Sequence, residues 1–346
     1  MKILFLINSL KNKSGSERVA VELANRVAGI GAHQVAIVNR ESTLSTCAYS
    51  VSNHVNVIVL DGNFFDFYKK LKQHLKNNNY DKIIIHNMGK LTLLCSLLPL
   101  NQRKKIVSLE HISFVSRPKA VQLMSKLCYP RIHQVVALTA NDGKQFRQIH
   151  NNVEVIPNFS PFEIFADSKP LTKNIVTIGR LTDQKNYIHL LKAWELIATK
   201  LPEWTLNIYG EGEQKELLKA YIEEYSLLNV HLRGLTSDVK EVYLNSDFFV
   251  MSSKYEGLPM VLIEAQSFGL PIISYDCPFG PSDVIEDRYN GILVEDQKIN
   301  ILASSILELA QSSDLLMKYS ENSKINAKKY QADQILQLWH DSVLEG

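Results

Sequence analysis

Residues 174–186 read NIVTIGRLTDQKN. The first five are rich in β-branched side chains, the composition of a half-buried or buried strand, and the run ends at Gly179-Arg180. Lys185-Asn186 then opens a helical pattern. A strand, a tight glycine turn and a helix is how doubly wound α/β sheets present groups to ligands at the carboxyl ends of their strands. Arg180 offers a planar bidentate fork and Lys185 a compact charge, a pair suited to a diphosphate. Taken alone, two solvated cations in a loop satisfy the same sequence.

Outward from this unit the rhythm repeats. Short apolar strands near 2–8, 33–38, 55–60, 81–86, 104–109 and 133–138 alternate with helical patterns, as in parallel α/β sheets. The stretch from Pro157 to Thr172 breaks the pattern and reads as a linker. A second series follows near 174–179, 204–209, 229–232, 247–251, 271–274 and 291–294, and beyond residue 297 the pattern is helical through Trp339. The expectation is an α/β protein of two Rossmann-like domains, residues 1–160 and 170–329. A chain of 346 residues is long enough to give each its own core.

The stretch Glu256-Gly-Leu-Pro-Met-Val-Leu-Ile-Glu264 places two carboxylates eight positions apart. Gly257 frees the backbone, Pro259 suits a first helical turn, and Gly269 with Pro271 ends the helix. Glu256 then stands just before the helix and Glu264 roughly two turns inside it. Between them the first backbone N–H groups point outward without partners, a site for anionic or hydroxyl-rich ligands. A chance glutamate on an acidic helix start produces the same spacing. With Arg180 and Lys185 in the same half, however, the pattern resembles the Glu-x7-Glu signature of the retaining glycosyltransferases of family 4. Those enzymes have the GT-B fold, two Rossmann-like domains facing a central cleft.

The resemblance implies a role for each motif. Glu256 would contact hydroxyls of the donor sugar, Glu264 the ribose of the nucleotide, and Arg180 and Lys185 the diphosphate. Gly179, Gly257, Leu258, Pro259 and Met260 would line the same donor site. In Lys13-Ser14-Gly15-Ser16-Glu17-Arg18 the backbone at Gly15 would approach the diphosphate, although the family usually has two glycines there and this chain has Ser14-Gly15. His111, closing the predicted strand of Ile106–Ser113, would lie beside the donor sugar; a lone histidine there is also an ordinary structural hydrogen-bonder. The backbone at Arg233 and Gly234 would read the nucleobase. Gly210-Glu-Gly212 is half of a dinucleotide fingerprint without its third glycine, and matches a turn the family carries. The catalytic set is thus His111, Arg180, Lys185 and Glu256, and the final helix, 330–346, would pack back on the first domain. The turn Cys277-Pro-Phe-Gly280-Pro281 is similar to a branch of family 4 that builds bacterial exopolysaccharide, capsule and lipopolysaccharide.

Composition bounds the remaining classes. Apolar residues make up 45% and charged residues 21%, ordinary for a globular protein. The four cysteines (Cys47, Cys95, Cys128, Cys277) form no disulfide framework, the longest apolar run (91–100) is too short for a bilayer, and no signal peptide is apparent, so a cytoplasmic location is expected. No Asp-x-Asp and no His/Cys cluster with metal spacing occurs, so no metal or cofactor is expected. Charge is uneven: residues 1–160 carry 21 Lys and Arg against 9 Asp and Glu, and residues 161–346 carry 17 against 27. An anionic partner for the first half follows. Nucleic acid is not favoured, for want of a stacking or groove-reading motif. A membrane surface fits better, through Phe64, Phe65, Phe67 and Tyr68 among Lys69, Lys70, Lys72 and Lys76, and through Arg117, Lys119, Lys126 and Arg131. A solvated helix face over a core stripe reads the same way.

The expected activity is therefore hexosyl transfer, with retention, from a UDP-sugar (galactose, N-acetylgalactosamine, glucose or N-acetylglucosamine) to a lipid-linked, lipopolysaccharide or capsule glycan at the inner membrane face. A sugar-nucleotide epimerase or hydrolase of the same fold is the alternative. A nicotinamide-dependent oxidoreductase is more distant, since neither half has a complete glycine fingerprint.

Overall fold

Runs of four to six Ile, Val, Leu and Phe, apolar on both faces and rich in β-branched residues, suit strands covered on both sides, which is the environment of a parallel sheet. The computed structural model, which describes residues 1–11, 15–41, 43–87, 89–167 and 170–345, builds two such sheets. The first comprises β1 (Lys2–Leu6), β2 (Gln34–Asn39), β3 (Val55–Val59), β4 (Lys82–Asn87), β5 (Ile106–Glu110), β6 (Gln134–Ala137) and β7 (Val153–Val155). All pairings are parallel, in the order β3-β2-β1-β4-β5-β6-β7. Ile3, Leu4, Phe5 and Leu6 are fully enclosed. Helix Gly15–Gly29 lays Val19, Ala20, Leu23, Ala24 and Val27 against the sheet, the i, i+4 stripe of an amphipathic helix. Helix Phe64–Asn77 is capped by Asn63, whose side chain accepts from the N–H groups of Phe65 and Asp66, and buries Phe67, Leu71 and Leu75.

The second sheet comprises β8 (Asn174–Ile178), β9 (Thr205–Tyr209), β10 (Val230–Gly234), β11 (Phe248–Met251), β12 (Ile272–Tyr275) and β13 (Gly291–Val294). Its order is β10-β9-β8-β11-β12-β13, again all parallel. Trp194, Trp204, Phe248 and the aliphatic residues of the flanking helices form its core. In each sheet the strand order reverses once, between β1 and β4 and between β8 and β11. Such switch points open a crevice at the carboxyl ends of the two strands.

The chain divides into two compact units, Met1–Asn158 with the residues from Leu336 on, and Phe159–Ile335. Residues 159–167, which read as linker, belong to the second unit. Ser160 Oγ meets Ser267 Oγ at 2.8 Å, Phe165 N donates to Ser267 O at 2.8 Å, and Phe162 packs edge-on against Phe268 and Tyr243. Residues 330–335 also stay with that unit, because Tyr330 OH donates to Asp283 O at 2.7 Å and Ser160 N to Tyr330 O at 2.7 Å. The division falls inside helix Ala332–Trp339, and Gln134 Nε2 then donates to Ser342 O at 2.9 Å within the first unit.

Two surface expectations need correction. Phe67 is a core residue, and Arg117 is no surface cation: it is buried and paired with the equally buried Glu110. Among the described residues no helix is long and apolar enough to cross a membrane.

Candidate functional site

At the carboxyl ends of β8, β9 and β10 the backbone is drawn together by glycines. A Cβ on Gly210, whose φ is +145°, would overlap the carbonyl oxygen of Gly179, and one on Gly212 would overlap that of Leu181. The close approach lets Leu181 N donate to Glu211 O at 2.9 Å and Gly210 N to Gly234 O at 2.8 Å. The Gly210-Glu-Gly212 turn is therefore a packing device that fixes the course of Gly179-Arg180. Gly234 has a φ of +71°, a backbone state that glycine alone adopts readily. The Arg233 guanidinium is turned to Asn207 Oδ1, at 2.8 Å.

Across the switch point, the loop after β8 is laced to the loop after β11. Lys254 N donates to Gln184 O (2.8 Å), Gln184 Nε2 to Tyr255 O (2.9 Å) and Ser252 Oγ to Lys185 O (3.0 Å), and Lys254 pairs with Asp183 at 2.6 Å. This lacing presents Lys185 Nζ to Glu256 Oε1 at 2.6 Å, with the two side chains 18% and 8% exposed. Arg180 is exposed nearby in sequence, on the same strand end. The site thus combines one exposed guanidinium, one ammonium already shared with a carboxylate, and that carboxylate.

Beyond Glu256, Pro259 is the N-cap rather than a first-turn residue, and the helix runs Met260–Ser267. Glu264 consequently sits little more than one turn in. It is buried, and Tyr243 OH donates to its Oε2 at 3.1 Å. The turn Cys277–Pro281 lies against this helix start. A Cβ on Gly280 (φ +94°) would overlap Gly257 O and come 2.5 Å from Pro259 Cδ. Burial, reinforced by Glu256 and Asp296, pushes the Cys277 thiol up to about 12, so it stays protonated at neutral pH. Tyr187, buried beneath Gly179, is raised by burial and by Glu256.

In the first unit, Gly15 opens helix Gly15–Gly29, and a Cβ there would meet nothing within 4 Å. Lys13 and Ser14 lie outside the described residues. His111 follows β5, and its neighbour was not anticipated from sequence: His86 Nδ1 is 3.0 Å from His111 Nε2. Burial lowers His111 to about 4 and His86 well below its ordinary value. Beside them Glu110 accepts from Arg117, Ser108 and, at 2.8 Å, Tyr129, while Arg117 Nη1 donates to Tyr129 OH at 2.8 Å. The sequence signal for this cluster was His86, which directly follows the apolar run Ile83–Ile85 and is paired in register with Leu109 one strand over. Among the described residues no three His, Cys, Asp or Glu converge as a metal site.

Comparison with known proteins is consistent across both units. Residues 13–160 match the family described as Glycosyltransferase Family 4, and residues 161–326 the family described as Glycosyl transferases group 1. The chain is 29% identical over 357 residues to the amylovoran biosynthesis glycosyltransferase AmsD of Erwinia amylovora, spanning 98% of this chain and 99% of that one. It is 27% identical over 361 residues, 100% of this chain and 99% of the other, to the GalNAc-alpha-(1->4)-GalNAc-alpha-(1->3)-diNAcBac-PP-undecaprenol alpha-1,4-N-acetyl-D-galactosaminyltransferase of Campylobacter jejuni. Among solved structures, Anabaena Alr3699/HepE in complex with UDP has a TM-score of 0.83 at 17% identity over the full length of both chains. Two parallel sheets, each with one switch point, and family matches along nearly the whole length lead to one assignment: the chain belongs to glycosyltransferase family 4 and is a glycosyltransferase of the GT-B type.

Proposed function

We propose that this glycosyltransferase moves a hexose or N-acetylhexosamine from a UDP-sugar to a growing bacterial surface glycan, with retention at the anomeric carbon and without a metal ion. The observation that carries the reading is the Lys185–Glu256 pair at 2.6 Å, held where the strand order reverses between β8 and β11. A cation already in contact with a carboxylate, with the exposed Arg180 on the same strand end, suits a ligand that carries both diphosphate and hydroxyls. Arg180, Lys185 and the helix N-terminus at Met260 stabilise negative charge developing on the departing diphosphate. Glu256 holds donor hydroxyls, Glu264 the ribose, and Gly15 and Gly234 offer backbone to the phosphates and the base. No protein nucleophile is assigned; the acceptor attacks on the face the nucleotide leaves, and the leaving phosphate takes the acceptor proton. His111 positions the sugar.

The UDP complex of Alr3699/HepE supports a uridine donor, and the activities of the Erwinia and Campylobacter relatives support a glycan acceptor, lipid-linked in the second case. Docking of the first unit on anionic lipid is supported by helix Lys119–Cys128. It exposes Leu123, Met124 and Leu127 beside Lys119 and Lys126, and Arg131 is exposed in the turn that follows. Helix Phe64–Asn77 adds exposed Phe64 and Phe65, with Lys69 over the Phe65 ring at 4.2 Å. Nucleotide release from UDP-, GDP- and ADP-sugars in EDTA tests the reading. Slow release from a UDP-sugar, lost in Glu256→Ala, is expected; efficient conversion to a rearranged free sugar points instead to an epimerase. Sedimentation with anionic vesicles at low salt tests the docking, which fails if Leu123→Glu/Leu127→Glu binds as wild type does.

A further inference from the structure

The contact between His86 and His111 has no place in the chemistry described above. His86 projects from β4 and is 4% exposed, and its ring stacks on that of His111 with centroids 5.2 Å apart. Its Nδ1 meets His111 Nε2 at 3.0 Å, while its Nε2 is enclosed without a hydrogen-bond partner among the described residues. A nitrogen–nitrogen contact of that length holds one proton. The loop carrying His111 is pinned on its far side, where Arg117 Nη2 donates to Ile112 O at 3.3 Å and Phe114 N to Asp142 Oδ1 at 3.3 Å.

We propose that His86 is a positioning residue that occupies Nε2 of His111 and holds it in the Nδ1–H tautomer, so that His111 meets a ligand only as a hydrogen-bond donor. A neutral imidazole has one N–H and one lone pair. Were His111 the donor in the contact, the proton of His86 would sit on the enclosed Nε2, and a buried N–H without an acceptor is among the rarest features of folded proteins. With His86 donating from Nδ1, only a lone pair is enclosed. Burial keeps both rings uncharged at neutral pH, which removes the third arrangement, a shared cation. The atom that His111 Nδ1–H recognises is an acceptor oxygen, which on the donor-site reading above is a hydroxyl of the sugar. The orientation, like that of a metal-bound histidine, is set by the bond the other nitrogen makes.

Nitrogen-15 NMR of histidine-labelled protein decides the tautomer on the wild type alone. His111 is expected to show a protonated Nδ1 and an unprotonated Nε2. In His86→Leu the His111 signals move toward the Nε2–H form, and kcat/KM for the donor falls about tenfold, the scale of one lost oriented hydrogen bond. His86→Asn, whose amide takes the place of Nδ1, restores both within about threefold. A wild-type His111 protonated at Nε2, or a His86→Leu spectrum unchanged at His111, overturns the proposal. The NMR result stands apart from the donor assignment: absence of turnover with every nucleotide sugar would count against the proposed function while leaving the tautomer determined.

Discussion

Replacing Lys185 with methionine keeps most of the side-chain length and strips the cation from Glu256, a carboxylate only 8% exposed. Breaking a fully buried ion pair costs about 3–5 kcal/mol, whereas a surface pair is worth about 0–1 kcal/mol. With Lys185 itself 18% exposed, the cost falls between the two, about 2 kcal/mol. Glu256→Gln leaves behind the more exposed partner, which can turn to solvent, and should cost about 1 kcal/mol. The double variant should cost less than the two singles together, with a coupling of about 1–2 kcal/mol. Guanidinium unfolding followed by tryptophan fluorescence measures this. In a Trp339→Phe background the remaining tryptophans, Trp194 and Trp204, both report on the second unit. Nucleotide release should behave differently: Lys185→Met loses about 10²–10³-fold, and the double variant regains stability but not turnover. Single effects that add to within about 0.5 kcal/mol would refute the idea that this pair is one interacting unit.

Three further outcomes follow from the same geometry. Gly210→Ala forces a Cβ onto the Gly179 carbonyl at a φ of +145°; it should destabilise the second unit by about 2–4 kcal/mol, read by unfolding, and weaken nucleotide binding in titration. Tyr243→Phe removes the hydroxyl that donates to Glu264 at 3.1 Å, and should raise KM for the donor several-fold with kcat little changed, at a stability cost of about 1 kcal/mol. His111, lowered by burial to about 4 against an unfolded value of 6.5, binds its proton more readily when unfolded. Its contribution is therefore intact above pH 6.5 and is lost as pH falls toward 4, with a slope of up to about 1.4 kcal/mol per pH unit. His111→Asn should flatten the measured stability profile in that window, and an unchanged slope would contradict the assignment.

The two-sheet fold was legible because its strands are short apolar runs that recur between helical patterns, the rhythm of a parallel sheet covered on both faces. What escaped was shorter still or disguised. Strand β7 has three residues at a sheet edge, too few to show a period. The segment after Asn158 looked like linker because Pro157 and Pro161 dominate it, yet Phe162 and Phe165 lie within it and hold it to the second unit. Arg117 looked like a surface cation because sequence shows charge without partner; Glu110 is seven positions away, and only the fold closes the distance. At the candidate site, residue types and the glycine turns could be read from sequence, since a glycine required by close approach has few substitutes. The pairing of Lys185 with Glu256, 71 positions apart, and the seating of His111 on His86 are tertiary facts. Pro259 was misplaced by one position because a proline serves equally before a helix or within its first turn.

The strand ends around Arg180, Lys185, Glu256 and Glu264 are proposed to form a metal-independent nucleotide site. Calorimetric titration of UDP in EDTA tests it most directly, with wild type beside Arg180→Ala and Glu264→Ala. The account predicts binding by the wild type, weakened about tenfold or more in each variant. Binding that requires a divalent cation, or that is equal in all three proteins, would contradict it.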